Sequence, residues 1–305
     1  MKIYHRATIG EADIDNLGHM NVRVYAKHAA LAVNSLLGIV ISDQLEPTKN
    51  SLGLLDYDSY TTFRREQLLG ANLEVWAGVL EVTSSDVEVY LEVRNSANKE
   101  VAAAFRKKLK PVGRQDQTGM GFSNDDIQRA EKFSVVWPAH LRPRSVLLGK
   151  VRDDITPKNL EDAGVGIRFD GYLVGASDVD EDGRMDMGLG PWLAFAKRPI
   201  KPTSTTSAPW FGEGNVAVAT LESRQTLLDI PRLGDEVVTY TAITEVKEKI
   251  LRFCHWSYER KTSQLFSILE EVGIGLNLDT RKSCAFPEGM KTELENACRP
   301  FLRPA

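Results

Sequence analysis

The order of hydrophobic and polar residues is similar in the two halves of the chain. In the first half, apolar residues recur at helical spacing from Val22 to Val40, and the pattern weakens near Gly38. Segments rich in β-forming residues follow at 57–67, 73–83, 86–95 and 101–111. This pattern predicts a long helix with one buried face, followed by an antiparallel sheet.

The second half predicts the same order of elements. A first strand is expected at 170–175, and a helix is expected to begin near Pro191, because proline suits a first helical turn. Strands are then expected at 220–228, 236–245, 249–259 and 265–273. Between the halves, short helices are expected at 123–133 and from Thr156 to Gly164, and a last helix at 287–298.

A short acidic motif also occurs twice. Residues 11–21 (Glu-Ala-Asp-Ile-Asp-Asn-Leu-Gly-His-Met-Asn) align without gaps with residues 176–186 (Ala-Ser-Asp-Val-Asp-Glu-Asp-Gly-Arg-Met-Asp). Two Asp, the Gly and the Met coincide, whereas Arg184 replaces His19. We interpret the pattern as a duplication. It divides the chain into a first copy at 1–112, a linker at 113–164, a second copy at 165–285, and a C-terminal helix and tail at 286–305.

Composition narrows the class of protein. The 305 residues carry a formal net charge of -4, which gives no general attraction to nucleic acid or to an anionic membrane. The first residues do not form a signal peptide and no run of eighteen apolar residues occurs, so we expect a cytoplasmic protein. Cys254, Cys284 and Cys298 lack zinc-site spacing and are expected to be buried free thiols.

The first acidic motif offers candidate chemistry just before the predicted helix. Asp15 could serve as nucleophile or general base, with His19 beside it. The amides of Asn21 and Val22 could stabilise an oxyanion, and Gly18 would let the backbone approach a ligand closely. From the residues alone, a turn-capping Asp and a semi-buried His remain the alternative.

The motif at 13–21, the Val-Arg-Val-Tyr sequence and helix after it, and the block from Phe63-Arg64-Arg65-Glu66-Gln67-Leu68-Leu69-Gly70 to Val93 together resemble a known family. They are similar to hotdog-fold thioesterases of the 4-hydroxybenzoyl-CoA and acyl-carrier-protein (acyl-ACP) thioesterase type. The resemblance covers most of 1–112 and, more faintly, 165–285. It implies an α+β double hotdog, in which each copy wraps an antiparallel sheet around a long central helix.

The resemblance also implies roles for residues. Asp15 takes the place of the family's catalytic carboxylate and His19 that of its histidine, whereas a further catalytic Asn of the family would fall on Leu17 and is absent. Asn21 is expected only to shape the loop. The plant members carry the motif in their second copy, but here the complete version is in the first. The degenerate second site, with Asp180 and Arg184, should be silent or bind without catalysis, because arginine cannot act as a neutral base.

The implied function is hydrolysis of an acyl thioester, carried by coenzyme A or by an acyl carrier protein, with one complete site between the two copies. The reaction needs no metal or redox cofactor, and neither nucleic acid nor membrane is an expected partner. A homodimer of double hotdogs is compatible with the resemblance. Side chains that could line the acyl pocket, or simply pack in the core, are Tyr25, His28, Tyr57, Tyr60 and Phe63.

Other interpretations remain open. The fold also supports hydratases or dehydratases, although their motifs place Asn-Pro between Asp and His, and a non-catalytic acyl-CoA-binding protein is a further alternative. Residues 178–186 resemble the start of an EF-hand loop, but Leu189 stands where a calcium-binding Glu should be. The basic clusters at 106–110 and 140–144 are either solvated surfaces or attract coenzyme A phosphates or an acidic carrier protein.

Overall fold

A computed structural model describes residues 1–41, 52–113, 121–179, 183–185 and 215–304. The four α-helices in these ranges are α1 (Val22–Val40), α2 (Asn124–Glu131), α3 (Pro157–Asp162) and α4 (Glu288–Asn296). The strands are β1 (Lys2–Thr8), β2 (Leu52–Phe63), β3 (Asn72–Val82), β4 (Val87–Asn95), β5 (Val101–Gly113), β6 (Ile167–Leu173), β7 (Val216–Leu227), β8 (Glu236–Val246), β9 (Ile250–Glu259), β10 (Leu265–Asn277) and β11 (Lys282–Ser283).

These strands form one antiparallel sheet in the order β1-β3-β4-β5-β2-β7-β10-β9-β8-β6, with β11 paired to β10. The order on the two sides of the β2–β7 pair is mirrored, because β7, β10, β9, β8 and β6 follow one another as β2, β5, β4, β3 and β1 do. The described chain is therefore an α+β structure built on one continuous sheet.

The helix α1 has the bounds that the hydrophobic pattern predicts. It begins after Asn21, whose Oδ1 accepts a hydrogen bond from the Arg23 amide at 3.0 Å and so caps the first turn. Its buried residues include Tyr25, Ala29 and Leu36, which share a core with apolar residues of β3, β4 and β5. Burial of this face fixes the helix against one side of the sheet.

The other side of the same strands is covered by the linker. Successive strand residues point to opposite faces, so Tyr60 and Tyr90 lie on the side away from α1. Their rings lie 5.8 Å and 6.4 Å from the ring of Trp137, and Leu141 packs beside Tyr90. The linker thus forms a second layer over the outer face.

The β2–β7 pair joins the two halves through a buried ion network on this outer face. The Asp58 carboxylate accepts hydrogen bonds from Arg106 at 2.8 Å and from Arg224 at 2.9 Å, and all three side chains are buried. Arg106 also pairs with Glu88, and Arg224 donates to the Leu147 carbonyl at 2.6 Å. The network therefore connects the first half, the second half and the linker.

The same local turn occurs in both halves. The Gly10 amide donates to the Asp13 carboxylate at 3.0 Å, and the Gly175 amide donates to the Asp178 carboxylate at 2.8 Å. Each Asp ends a short 3-10 helix. The acidic motifs thus share backbone structure up to this point. Asp180, most of the EF-hand-like sequence and the helix expected from Pro191 lie outside the described residues.

Two sequence expectations need correction. Arg106 and Lys107 are buried and ion-paired, Lys107 with Asp56, so these cations are not available to coenzyme A phosphates or to a carrier protein. Strand β2 ends at Phe63 rather than at residue 67, because the Arg64 and Arg65 amides both donate to the Ala102 carbonyl and the chain leaves the sheet.

Of the cysteines, Cys254 is fully buried and the other two are half-buried, all as free thiols.

A histidine pair joins α1 to β1. His28 is buried and stacks on His5, with 3.0 Å between its Nδ1 and the Nε2 of His5. Burial lowers the pKa of His28 to about 4, and neighbouring His5 acts in the same direction. The folded protein therefore holds His28 neutral at pH values at which an unfolded chain would protonate it.

We expect Asp58→Asn to lower the free energy of unfolding by about 3–5 kcal/mol, because it leaves two buried arginines without their shared anion. Asp154→Asn, which breaks an exposed pair with Arg152, should cost less than about 1 kcal/mol. Urea denaturation of both variants checks this. A loss for Asp58→Asn no larger than that of the control would contradict the structural role of the network.

We also expect the histidine pair to destabilise the protein in acid. Because the folded pKa of His28 lies below the unfolded value, stability should fall as pH drops from about 6.5 towards 4. His28→Leu should reduce this pH-dependent loss by up to about 3 kcal/mol, since one pKa unit corresponds to about 1.4 kcal/mol. Unfolding measured at several pH values tests this, with His140→Asn at an exposed position as the control. If the free energy of unfolding falls equally with decreasing pH in wild type and in His28→Leu, His28 is not the source of the acid sensitivity.

Candidate active site

The first acidic motif forms a tight loop that returns the chain to the start of α1. The Asp15 amide donates to the His19 carbonyl at 2.9 Å, and the Gly18 amide donates to the Asp15 carbonyl at 3.1 Å. Gly18 has a φ of +81°, a conformation that other residues rarely adopt. A glycine at this position therefore lets Asp15 and His19 lie on one side of the loop.

The Asp15 carboxylate is buried and surrounded by donors. Its Oδ1 accepts the Leu17 amide at 2.9 Å, and its Oδ2 accepts the Asn21 side-chain amide at 3.3 Å. The N-terminus of α1, which begins at Val22, also favours negative charge nearby. These contacts hold the carboxylate in one orientation. Asn21 thus links the loop to the helix, since its other side-chain atom caps α1.

His19 lies between two carboxylates. Its Nδ1 is 3.6 Å from Asp15 Oδ2, and its Nε2 is 3.6 Å from Glu66 Oε1. The Met20 carbonyl is 3.3 Å from the same Nδ1. A histidine held between two carboxylates can accept and return a proton during a reaction.

Two residues of this group were not identified from the sequence. Glu66 follows β2, within the segment 63–93 that resembles the thioesterase family, and Arg281 belongs to the turn between β10 and β11 in the second half. Arg281 Nη2 is 2.7 Å from Glu66 Oε2. Contacts over such sequence distances leave no spacing signal, so only the fold brings these residues to the loop.

The donors that could stabilise an oxyanion are fewer than expected. The Asn21 amide already donates to the Asp13 carbonyl at 2.9 Å, and so it is not available to a substrate in this conformation. Val22 occupies the first position of α1, where a backbone amide has no partner within the helix. Val22 is therefore the better candidate for an oxyanion donor.

The residues expected in the acyl pocket lie in different places. Tyr25 and Phe63 contact each other on the inner face, with ring centroids 5.6 Å apart, and the Tyr25 hydroxyl donates to the Arg65 carbonyl beside Glu66. Burial raises the pKa of the Tyr25 phenol, and the charges of Glu66 and Asp15 act in the same direction. Tyr25 is thus a neutral hydroxyl next to the carboxylates.

The remaining pocket candidates point elsewhere. His28 packs against β1, and Tyr57 lies beside Lys110, whose ammonium is 5.6 Å from the ring centroid. Tyr60 is on the outer face under the linker, because its position in β2 has the opposite parity to Phe63. We therefore remove Tyr60 from the candidate pocket and keep Tyr25 and Phe63 as the pair nearest the site.

In the second half, Arg184 is buried and its backbone pairs with that of Arg232.

Within the described ranges, no group of three or more His, Cys, Asp or Glu is arranged to hold a metal ion. None of the described helices is long and apolar enough to cross a membrane.

Comparisons with known proteins relate the first half of the chain to a known family. A family model described as the thioesterase-like superfamily matches residues 9–133, which include the whole loop, α1 and Glu66. A search of curated proteins finds no match. The family match supports a thioester hydrolase.

Solved structures extend the likeness to most of the chain. The 12:0-ACP thioesterase from Umbellularia californica has a TM-score of 0.65 at 11% identity, over 89% of this chain and 94% of that one. A proposed oleoyl thioesterase from Lactobacillus plantarum has a TM-score of 0.62 at 11% identity, over 94% of this chain and 98% of that one. The acyl-ACP thioesterase from Bacteroides thetaiotaomicron VPI-5482 has a TM-score of 0.61 at 12% identity, over 88% of this chain and 96% of that one. At these identities the likeness shows the fold.

The expected resemblance to hotdog-fold thioesterases is confirmed: residues 9–133 match the model of the thioesterase-like superfamily, and most of the chain shares its fold with two solved acyl-ACP thioesterases.

Proposed function

We propose that this protein hydrolyses an acyl thioester to a free acid and a thiol at the loop of residues 13–21. One observation carries the proposal: the buried Asp15 carboxylate lies at the N-terminus of α1 and faces His19, which in turn faces Glu66. A carboxylate can activate water or attack the carbonyl carbon, a histidine can carry the proton, and a helix N-terminus can stabilise the oxyanion.

In the proposed reaction, the thioester carbonyl oxygen accepts a hydrogen bond from the Val22 amide, and negative charge develops there as the carbonyl carbon is attacked. Asp15 either removes a proton from the attacking water or attacks directly, forming a mixed anhydride that water then opens. The carbon–sulfur bond breaks in both routes. His19 supplies a proton to the departing thiolate. It regains a proton from Asp15 in the general-base route, or from the water that opens the anhydride in the nucleophilic route, so that both side chains return to their starting states.

The proposed architecture is a double hotdog with copies at 1–112 and 165–285 and the linker at 113–164. The mirrored strand order and the repeated turns at Asp13 and Asp178 support a duplication. In the first copy, α1 fills the position of the central helix. The proposed substrate is an acyl group on coenzyme A or on an acyl carrier protein, and two of the structural neighbours are named as acyl-ACP thioesterases.

Asp15→Asn should lower kcat for thioester hydrolysis by about 10²- to 10⁴-fold, the range that loss of general acid–base catalysis produces. Asp13→Asn is the matched control, because Asp13 caps the preceding turn of the same loop. Thiol release from a panel of acyl-CoA and acyl-ACP substrates measures both. Hydrolysis unchanged in Asp15→Asn would exclude this site, and tight binding without turnover in wild type would favour an acyl-thioester-binding protein.

Val22→Pro should remove the proposed oxyanion donor while leaving α1 intact. Proline is tolerated at a first helical position, and the extended backbone of Asn21 (φ -64°, ψ 142°) suits a residue before proline. We expect kcat to fall about 10²- to 10³-fold, with the melting temperature close to that of Val22→Ala. Full activity in a folded Val22→Pro protein would show that another group stabilises the oxyanion.

A further inference from the structure

Arg281 reaches the loop of residues 13–21 from the opposite half of the chain. Its Nε and Nη2 lie 3.1 Å and 2.7 Å from Glu66 Oε2, and its Nη1 donates to the Leu17 carbonyl at 3.1 Å. One guanidinium group thus holds both the carboxylate that faces His19 and the backbone between Asp15 and Gly18.

The turn that carries Arg281 is well defined. Residues 276 and 277 of β10 pair with 283 and 282 of β11, and the Asn277 side chain accepts hydrogen bonds from the amide and hydroxyl of Thr280 at 2.8 Å and 2.9 Å. Arg281 itself has a φ of +54°, and its amide donates to the Asn277 carbonyl at 2.9 Å. A non-glycine residue in this conformation is uncommon, and the surrounding hydrogen bonds maintain it.

The contacts with Arg281 orient the carboxylate of Glu66. Because Arg281 engages Oε2, the other oxygen of Glu66 is the one that faces His19 Nε2 at 3.6 Å. The planar guanidinium has several donors, so Arg281 can bond the Glu66 carboxylate and the Leu17 carbonyl at the same time. The compact ammonium of a lysine cannot reach both acceptors in this way.

We propose that Arg281 is a positioning residue, through which the second half of the chain completes the active site of the first. It orients Glu66 towards His19 and fixes the Leu17 carbonyl, so that the loop keeps Asp15 at the start of α1. The inference rests on the proposed thioesterase function. It also gives the second half a role in catalysis that does not require a working motif of its own.

The first test compares Arg281→Gln, Arg281→Lys and the control Lys282→Gln, which removes an exposed cation from the next position of the same turn. We expect Arg281→Gln to lower kcat about 10- to 100-fold with less than about 3-fold change in KM, because small displacements of catalytic groups have effects of this size. Arg281→Lys should recover only part of the loss, and Lys282→Gln should match wild type. Unchanged kcat, or an effect confined to KM, would overturn the proposal.

A double-mutant cycle tests whether Arg281 acts through Glu66. In a Glu66→Gln background, Arg281→Gln should lower kcat by a clearly smaller factor than in the wild-type background, because the effect that runs through Glu66 is already lost and only the contact with the Leu17 carbonyl remains. Full additivity of the two losses would mean that Arg281 acts independently of Glu66, contrary to the proposal.

Hydrogen exchange of the unliganded protein separates this inference from the proposed function. The amides of residues 15–21 should exchange faster in Arg281→Gln than in wild type and in Lys282→Gln, while the melting temperature stays the same. Unchanged exchange in this loop would refute the positioning role. A wild type that hydrolyses no thioester would instead refute the proposed function, and the exchange result would still decide the role of Arg281.

Discussion

The pairing of β2 with β7 is the constraint on which the rest of the structure depends. It joins five strands of the first half and six of the second into one sheet, and the buried anion of Asp58 holds an arginine from each half on the outer face of that sheet. A buried charge network of this kind is costly unless every member is paired, so it permits few alternative registers. The fixed register determines which turns of the second half lie near the loop of the first.

The proposed active site depends on that arrangement. The loop supplies Asp15 and His19, the segment after β2 supplies Glu66, and a turn of the second half supplies Arg281. Each group is held by at least one further hydrogen bond or ion pair, which reduces the rearrangement needed during a reaction. The proposal therefore gives the two halves different tasks although they share a strand order, and the difference between His19 and Arg184 agrees with chemistry in the first half.

How much the sequence predicts depends on the range of the interactions. The helix at 22–40 has the predicted bounds because the helical spacing of its apolar residues indicates one buried face. The site loop can be recognised as a motif of consecutive residues. Glu66 and Arg281 could not be paired from the sequence, since 215 positions separate them. Arg106 and Lys107 look like a solvated cluster until the strands bring Asp58 and Asp56 beside them. The sequence does not orient Tyr60, whose position in β2 has the opposite parity to Phe63, so only one of the two can face α1.

The most direct test of this account is a crystal structure with a non-hydrolysable acyl-thioester analogue, such as a ketone in which a methylene replaces the sulfur and which keeps the acyl chain and the pantetheine arm. The account predicts the carbonyl oxygen, or its equivalent, within hydrogen-bond distance of the Val22 amide. The carbonyl carbon of the analogue should lie about 3–3.5 Å from a carboxylate oxygen of Asp15, or from a water that Asp15 binds. An analogue whose reacting carbon lies away from Asp15, or beside the second acidic motif, would contradict it.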